Sequence, residues 1–380
     1  MLNLGQEDLR GDDVIRRSFA IDPWANTMSL GCPSCPHFVE CGGLHVEAPL
    51  LDCQDLCCNR PETCSRVCRN NPQKFVAQRR EIGGFDLNET PRAPQRPSNL
   101  RSDVVELIYH RSRRQTPLRE PTVALRLADI VDYSCGRAKF SSRLEMCENF
   151  RIDPSCNIIL TGVDHDHRIE PWWSLSNARI PIIRTLSRLG IALVSTPNFS
   201  LLVDSPRTDD IYSMKRIAIN FAEFQQEGIS CALHPNGRAV RDFERWAEFI
   251  AMRPEVSTLS YEFITGSGLS ARRQIHLDGL INIARTAGRH LDIVVRGDPK
   301  VIPILMPHYR EIIYIDTTAY MKAQKRFLAE RTANDGLAWN HLYTEPGAAI
   351  DHILQKNIEE QREFLKAKYF GKSLHSNRAA

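Results

Sequence analysis

From Val104 onward the chain repeats one unit: a short run of β-branched and aliphatic residues, a polar tip, then a longer stretch with apolar residues at helical spacing. Eight runs read as strands: VELIY, TVALRLADI, NIILTGV, IALVSTPNF, ISCALHP, LSYEFI, LDIVVRG and EIIYIDT. Most precede a helix candidate, among them RIPIIRTLSRLG, IYSMKRIAINFAEFQQEG, AVRDFERWAEFIAMR, SARRQIHLDGLINIARTAG and MKAQKRFLAER. Strands alternating with amphipathic helices require a parallel sheet. Gly190, Gly228 and Gly288 stand where helices stop before the next strand, the position of a left-handed C-terminal cap. Eight repeats predict an α/β fold with a (β/α)8-like parallel barrel, complete or distorted, ahead of an open doubly wound sheet. The chain has no Gly-x-Gly-x-x-Gly or Walker A pattern, so a dinucleotide or P-loop site has little support.

Length and charge set the remaining limits. The 380 residues can form one large domain plus a smaller one. A net charge of +3 gives no field that would make nucleic acid or an anionic membrane an obligatory partner. The N-terminus carries acids and lacks an apolar core segment, and no run approaches membrane-spanning length, so a cytoplasmic protein with no membrane partner is expected. The predicted organisation is a polar lead-in (1–31), a cysteine-rich module (32–72), a linker (73–103), the barrel-like domain (104–345) and a C-terminal helix (346–380). Gly83 to Asn99, GGFDLNETPRAPQRPSN, gives the linker its composition. DHILQKNIEEQREFLKAKYF reads as a charged amphipathic helix that packs or meets a partner.

Eight of the 12 cysteines fall between Cys32 and Cys68, and in a reducing compartment such density points to metal or redox chemistry. CPSCPHFVECGGLH spaces Cys32, Cys35, Cys41 and His45 so that several donors can face one centre, with Gly42 and Gly43 allowing a tight fold beside it. This run resembles the cluster-binding segment of SPASM-type auxiliary domains in radical-SAM enzymes, with His45 in place of the fourth cysteine. The second half adds Cys53, Cys57, Cys58, Cys64 and Cys68, more thiols than one tetrahedral zinc needs. One iron–sulfur cluster of the 4Fe-4S type with mixed ligands is the leading expectation. Two centres, or a structural zinc site on a Cys3His set, are the alternatives. Arg60 stands where a Cys-x3-Cys-x2-Cys signature would need its third cysteine, so cleavage of S-adenosylmethionine is not expected. Cys135, Cys147, Cys156 and Cys231 are scattered in or near apolar segments and read as unreactive buried thiols.

In a parallel barrel the reactive groups gather where strands end, because the following loops share one mouth. That rule selects Asp164, His165, Asp166 and His167 after NIILTGV, Asn198 and Ser200 after IALVST, and His234 and Asn236 after ISCAL. It continues with Glu262 in LSYEFITG and Thr265 after it, Arg296 and Asp298 after DIVV, and Asp316 after EIIYI. Glu262, His234, Asp164 and Asp316 are the acid–base candidates, and Asn198, Asn236, Arg296 and Asp166 the substrate-binding ones. Each has a structural alternative: Asp164 and Asp166 as helix caps, His234 as a turn histidine, Glu262 and Arg296 as a plain salt bridge. HRSRR, His110 to Arg114, reads as a solvated charge run.

The succession TPNFS, SPRTDDIYSMKR, ALHPNGRAVRDFERW, YEFITG and VVRGD, between Gly190 and Arg326, resembles uncharacterised bacterial proteins of the domain-of-unknown-function 4417 type. The resemblance implies one coherent domain and carries no activity with it. The expectation is then an iron–sulfur or zinc protein whose barrel binds a polar or anionic small molecule. It would act in redox or lyase- or hydrolase-type chemistry, with an electron donor as partner if redox. The alternative is a metal-containing regulatory or nucleic-acid-binding protein on a non-catalytic scaffold, with Arg66, Arg69 and Lys74 touching phosphate.

Overall fold

The computed structural model describes residues 72–371, apart from 202–206, 265, 269, 335 and 346. All nine candidate metal ligands, Cys32 to Cys68 with His45, lie outside the described residues, as do Arg66, Arg69 and Thr265.

Eight strands make one parallel sheet: β1 (Asp103–Leu107), β2 (Thr122–Arg126), β3 (Asn157–Thr161), β4 (Leu193–Ser195), β5 (Cys231–Ala232), β6 (Thr258–Phe263), β7 (Asp292–Gly297) and β8 (Ile312–Asp316). Their order is β5-β4-β3-β2-β1-β8-β7-β6. The two edges then meet: Leu233, just past β5, bridges Leu259 of β6, with Leu233 N–H donating to Thr258 O at 3.0 Å and Ser260 N–H to Leu233 O at 2.8 Å. The sheet is therefore a nearly closed barrel, and all eight predicted strands are present.

The runs are apolar on both faces because both faces are buried. Along each strand successive residues alternate between a small inner cluster and the helix layer. Val105, Leu107, Ala124, Ile159, Leu193, Ala232, Val294, Ile313 and Ile315 fill the barrel. Their neighbours Val104, Val123, Ile158, Val194, Leu259 and Tyr314 pack outward in a much larger core. That core is completed by α1 (Pro72–Glu81), α2 (Arg143–Phe150), α3 (Asp166–Ser174), α4 (Arg179–Arg188), α5 (Arg207–Gln226), α6 (Val240–Ala251), α7 (Ser270–Thr286), α8 (Thr318–Gln324) and α9 (Asp351–Leu365). Gly190, Gly228 and Gly288 take φ of +72°, +95° and +62°, as caps require. Among the described residues no helix is long and apolar enough to cross a membrane.

Four sequence expectations are corrected. The segment 73–103 is not a free linker. It opens with α1, buries Phe85 and Leu87, and is strapped by Arg253, whose guanidinium donates to the carbonyls of Asn88, Thr90 and Pro91 at 2.9, 2.5 and 3.1 Å. MKAQKRFLAER is not one helix: α8 stops at Gln324, and Phe327–Arg331 pairs antiparallel with Leu337–His341. Asn357 of α9 fixes that hairpin, accepting from Ala329 N–H and donating to Phe327 O. HRSRR is only partly solvated, for Arg114 is buried against Arg151 O and Arg113 donates to Gln324 O at 2.7 Å. Cys135 is exposed, whereas Cys147, Cys156 and Cys231 are buried.

Glu106 and Asp316 are register partners on β1 and β8, and both turn outward. Burial first, then the neighbouring Asp316, pushes the Glu106 carboxyl well above its ordinary value of 4.5. Its Oε1 accepts from Tyr320 N–H at 2.6 Å, a bond a neutral amide can keep. The folded chain thus holds this proton more tightly than the unfolded one, so its contribution to stability is full below 4.5 and lost as pH rises above it. Glu106→Gln is expected to raise the melting temperature relative to wild type at pH 8 and to leave it unchanged or lower at pH 4. Thermal melts at both pH values check this, and an equal shift at both would contradict it.

Candidate functional site

A cavity of about 800 Å³ opens where the strands end, at the face that carries the sites of parallel barrels. Each strand from β1 to β7 delivers at least one polar side chain to it, from its last residues or the loop that follows: Tyr109, Arg126, Asp164, Asn198, His234, Glu262 and Arg296. Strand alternation explains the floor. Arg126, Glu262 and Arg296 continue the inward-facing rows of Ala124, Ser260 and Val294, one step beyond the apolar plug.

Glu262 and Arg296 sit opposite each other in the β6–β7 register. Arg296 donates to Glu262 Oε1 at 2.9 Å and to the Tyr109 hydroxyl at 3.1 Å. The guanidinium of Arg126 lies over the Tyr109 ring, 4.7 Å from its centre, and grips Asp129 at 2.6 and 2.9 Å. Asp164 forms ion pairs on both sides, with Arg126 at 3.6 Å and Arg168 at 3.4 Å, and Arg168 also reaches Asp129 at 3.4 Å. One polar chain therefore runs from β6 to the loop after β3, with neutral Tyr109 joining the Glu262–Arg296 pair to the Arg126–Asp129–Asp164–Arg168 cluster. Burial raises the Glu262 carboxyl above its ordinary value, and Arg296 offsets this only in part.

Beside this network lies an aromatic wall. The Tyr261 hydroxyl meets His276 Nδ1 at 2.5 Å, and the His234 ring stacks on Tyr261 with centres 4.9 Å apart. Burial, reinforced by Arg272, pushes His276 down to about 3, and burial pushes His234 to about the same value. Both imidazoles are neutral at physiological pH. On the rim, His165 and His167 stack at 5.9 Å, Ser200 donates to Asp166 at 2.6 Å, and Asn236 donates to Phe199 O at 3.0 Å. Asp166 and Ser200 also border a second cavity of about 550 Å³, whose far wall is α1 with Gln78 and Glu81. Among the described residues no group of three His, Cys, Asp or Glu side chains could hold a metal ion.

Seven of the eight sequence candidates line the mouth: Glu262, His234, Asp164, Asn198, Asn236, Arg296 and Asp166. Asp316 does not. Ile315 takes the inward position on β8, so Asp316 turns outward, accepts from Thr318 Oγ at 2.8 Å and lies beside Glu106 under the helix layer. Asp298 is likewise turned aside, capping the turn after β7 and pairing with Arg273. Sequence reasoning missed Tyr109, Arg126, Arg168, Arg272 and His276. Arg126 ends TVALR and obeys the strand-end rule. Arg272 and His276 come from α7, one turn apart, where no strand-end signal exists.

No protein-family model, curated protein or solved structure matches the chain. The fold itself defines the class: a parallel α/β barrel with a polar mouth.

Two glycines let the strand ends converge on the mouth. At Gly162, just after β3, a Cβ would lie 2.4 Å from Ser195 O and 2.6 Å from Thr196 C, both backbone atoms. At Gly297 φ is +108° and a Cβ would meet Phe263 O at 2.3 Å. Gly162→Ala is expected to cost about 1–3 kcal/mol, because backbone cannot yield as a side chain can. It should also displace Asp164 and Asn198. Urea unfolding checks the first effect, and an unchanged midpoint would show that the approach is looser than described.

Proposed function

We propose that the barrel is an enzyme whose mouth binds a small anionic molecule, with Arg296 holding the acid group and Glu262 moving a proton. One observation carries this reading: Glu262 and Arg296 are paired on the inside of the barrel, at the open end, in contact with a large cavity. A purely structural salt bridge gains nothing from such a place, since burying charge beside an apolar plug is costly. Their side chains are 18% and 17% exposed, so both remain accessible to a ligand.

The pair couples binding to protonation. An anion that takes over the Arg296 guanidinium removes the charge that holds Glu262 ionised, and the carboxyl, already raised by burial, becomes more basic. Glu262 then accepts a proton as the ligand binds, or takes one from the ligand itself. Arg126 and Arg168 have carboxylate partners and set the field around the site without competing for the proton. Asp164, tied to both arginines, orients them.

The cysteine-rich stretch adds a second element. Thiolates from Cys32, Cys35, Cys41, Cys53, Cys57, Cys58, Cys64 and Cys68, with His45, form a soft donor set suited to an iron–sulfur cluster and, with fewer ligands used, to zinc. A cluster there would supply single electrons to chemistry at the mouth. The motifs that we read as resembling the domain-of-unknown-function 4417 type fall on the strands and loops that carry Asn198, His234, Glu262 and Arg296.

Two measurements test the proposal. Calorimetric titration of the full chain with small carboxylates and phosphate monoesters should show affinity falling as pH rises, by up to about tenfold per pH unit, since one proton is taken up on binding. Glu262→Gln should flatten that dependence, and Arg296→Met should weaken binding by about 10–100-fold. A pH-independent affinity in the wild type sinks the assignment of Glu262. Metal and acid-labile sulfide analysis of protein purified without oxygen is expected to give iron with matching sulfide. Zinc without sulfide would make the cysteine stretch a structural staple.

A further inference from the structure

The charge network leaves three polar atoms at the mouth unused. Nδ1 and Nε2 of His234 and Oδ1 of Asn198 are buried with no hydrogen-bond partner among the described residues, although both residues line the cavity. His234 is only 2% exposed. Its ring is nonetheless fixed: one face rests on Tyr261, its backbone N–H donates to Thr196 Oγ at 3.0 Å, and its carbonyl accepts from Asn236 N–H at 2.8 Å. A buried polar atom left without a partner is destabilising, because it has given up its bond to water and gained none. Three of them, on two residues that line one cavity, leave its wall with hydrogen-bonding capacity that the described residues do not meet.

The chemistry of those groups follows from donor and acceptor inventory. Burial keeps the His234 imidazole neutral, so it offers one N–H and one bare nitrogen, pointing to different places. Asn198 Oδ1 only accepts. The wall therefore asks a ligand for two donors and one acceptor at separate points. A second carboxylate supplies no donor and an alkyl chain supplies neither. Neighbouring hydroxyls supply both, because each can donate or accept.

We propose that the mouth takes a polyhydroxylated anion, a sugar acid or sugar phosphate, with His234 and Asn198 reading its hydroxyls. This rests on the anion-binding role of Arg296 given above, and it makes His234 a specificity-determining residue that transfers no proton. The acid group, carboxylate or phosphate, lies at Arg296 while the hydroxylated carbons run along the Tyr261 wall.

Matched probes test it on the full chain by calorimetry: gluconate against hexanoate, and sorbitol 6-phosphate against hexyl phosphate. In at least one pair the hydroxylated member should bind more than about tenfold tighter, and which pair does so identifies the acid group. His234→Phe keeps a ring on Tyr261 and should reduce that ratio to within about threefold, leaving the affinity for the alkyl probe unchanged. Equal affinity within both pairs overturns the hydroxyl assignment and leaves the anion site standing. No binding of any of the four overturns both. A ratio that survives His234→Phe also overturns it. Should the variant fail to fold, nitrogen NMR of histidine-labelled wild type decides: the hydroxylated probe should drive the His234 ring to a single tautomer while the alkyl probe does not, and an unmoved signal refutes the assignment.

Discussion

Closure of the parallel sheet is the constraint on which everything else rests. Leu233 bridging Leu259 brings β5 against β6, and only because that ring closes do seven strand ends face one space. Without it the carboxylate of Glu262 would stand at an open edge, far from the amides after β4 and β5. The inner cluster holds the ring from within: small Ala124 and Ala232 beside larger Ile159, Leu193 and Ile313. Above that plug the same inward rows turn polar, so the boundary between packed core and reactive mouth is one step of the strand repeat.

The mouth is organised by the way charges are shared. Every arginine of the floor has a carboxylate, and Asp164 and Asp129 each serve two arginines. Glu262 and Arg296 stand slightly apart, with a tyrosine hydroxyl as the link to the rest. The adjoining wall holds His234 and His276 beside Tyr261, and burial keeps both imidazoles neutral. Charge and neutrality are thus separated within one cavity, which lets its two parts recognise different parts of one molecule.

Much of this could be seen in the sequence, for physical reasons. Strands buried on both faces leave continuous β-branched runs, and the left-handed glycine caps mark where each helix stops, so the eight-strand barrel was readable. The Glu262–Arg296 pairing was readable too, because a carboxylate between Tyr261 and Phe263 needs a counter-ion and the next strand offers one at the same level. Asp316 was misplaced because strand ends alternate in direction, and a one-residue parity decides whether an acid meets the cavity or the helices. Arg272 and His276 were invisible, since their place depends on how α7 packs. The proline-rich arm misled for another reason: its composition is that of a linker, while the bonds that fix it come from Arg253, more than 150 residues away in the chain.

That arm has a consequence for how the molecule is wired. α1 lies on the mouth side, where Glu81 accepts from Trp173 Nε1 at 2.8 Å and Gln78 shares a cavity wall with Asp166 and Ser200. The chain then travels the height of the barrel, gripped at the far ends of α5 and α6 by the carbonyl of Gln225 and the side chain of Arg253, before it enters β1. The residues that enter β1 are thus tied to the mouth and to the far ends of two helices before the first strand begins, so the arm works as an outer strap along the side of the barrel.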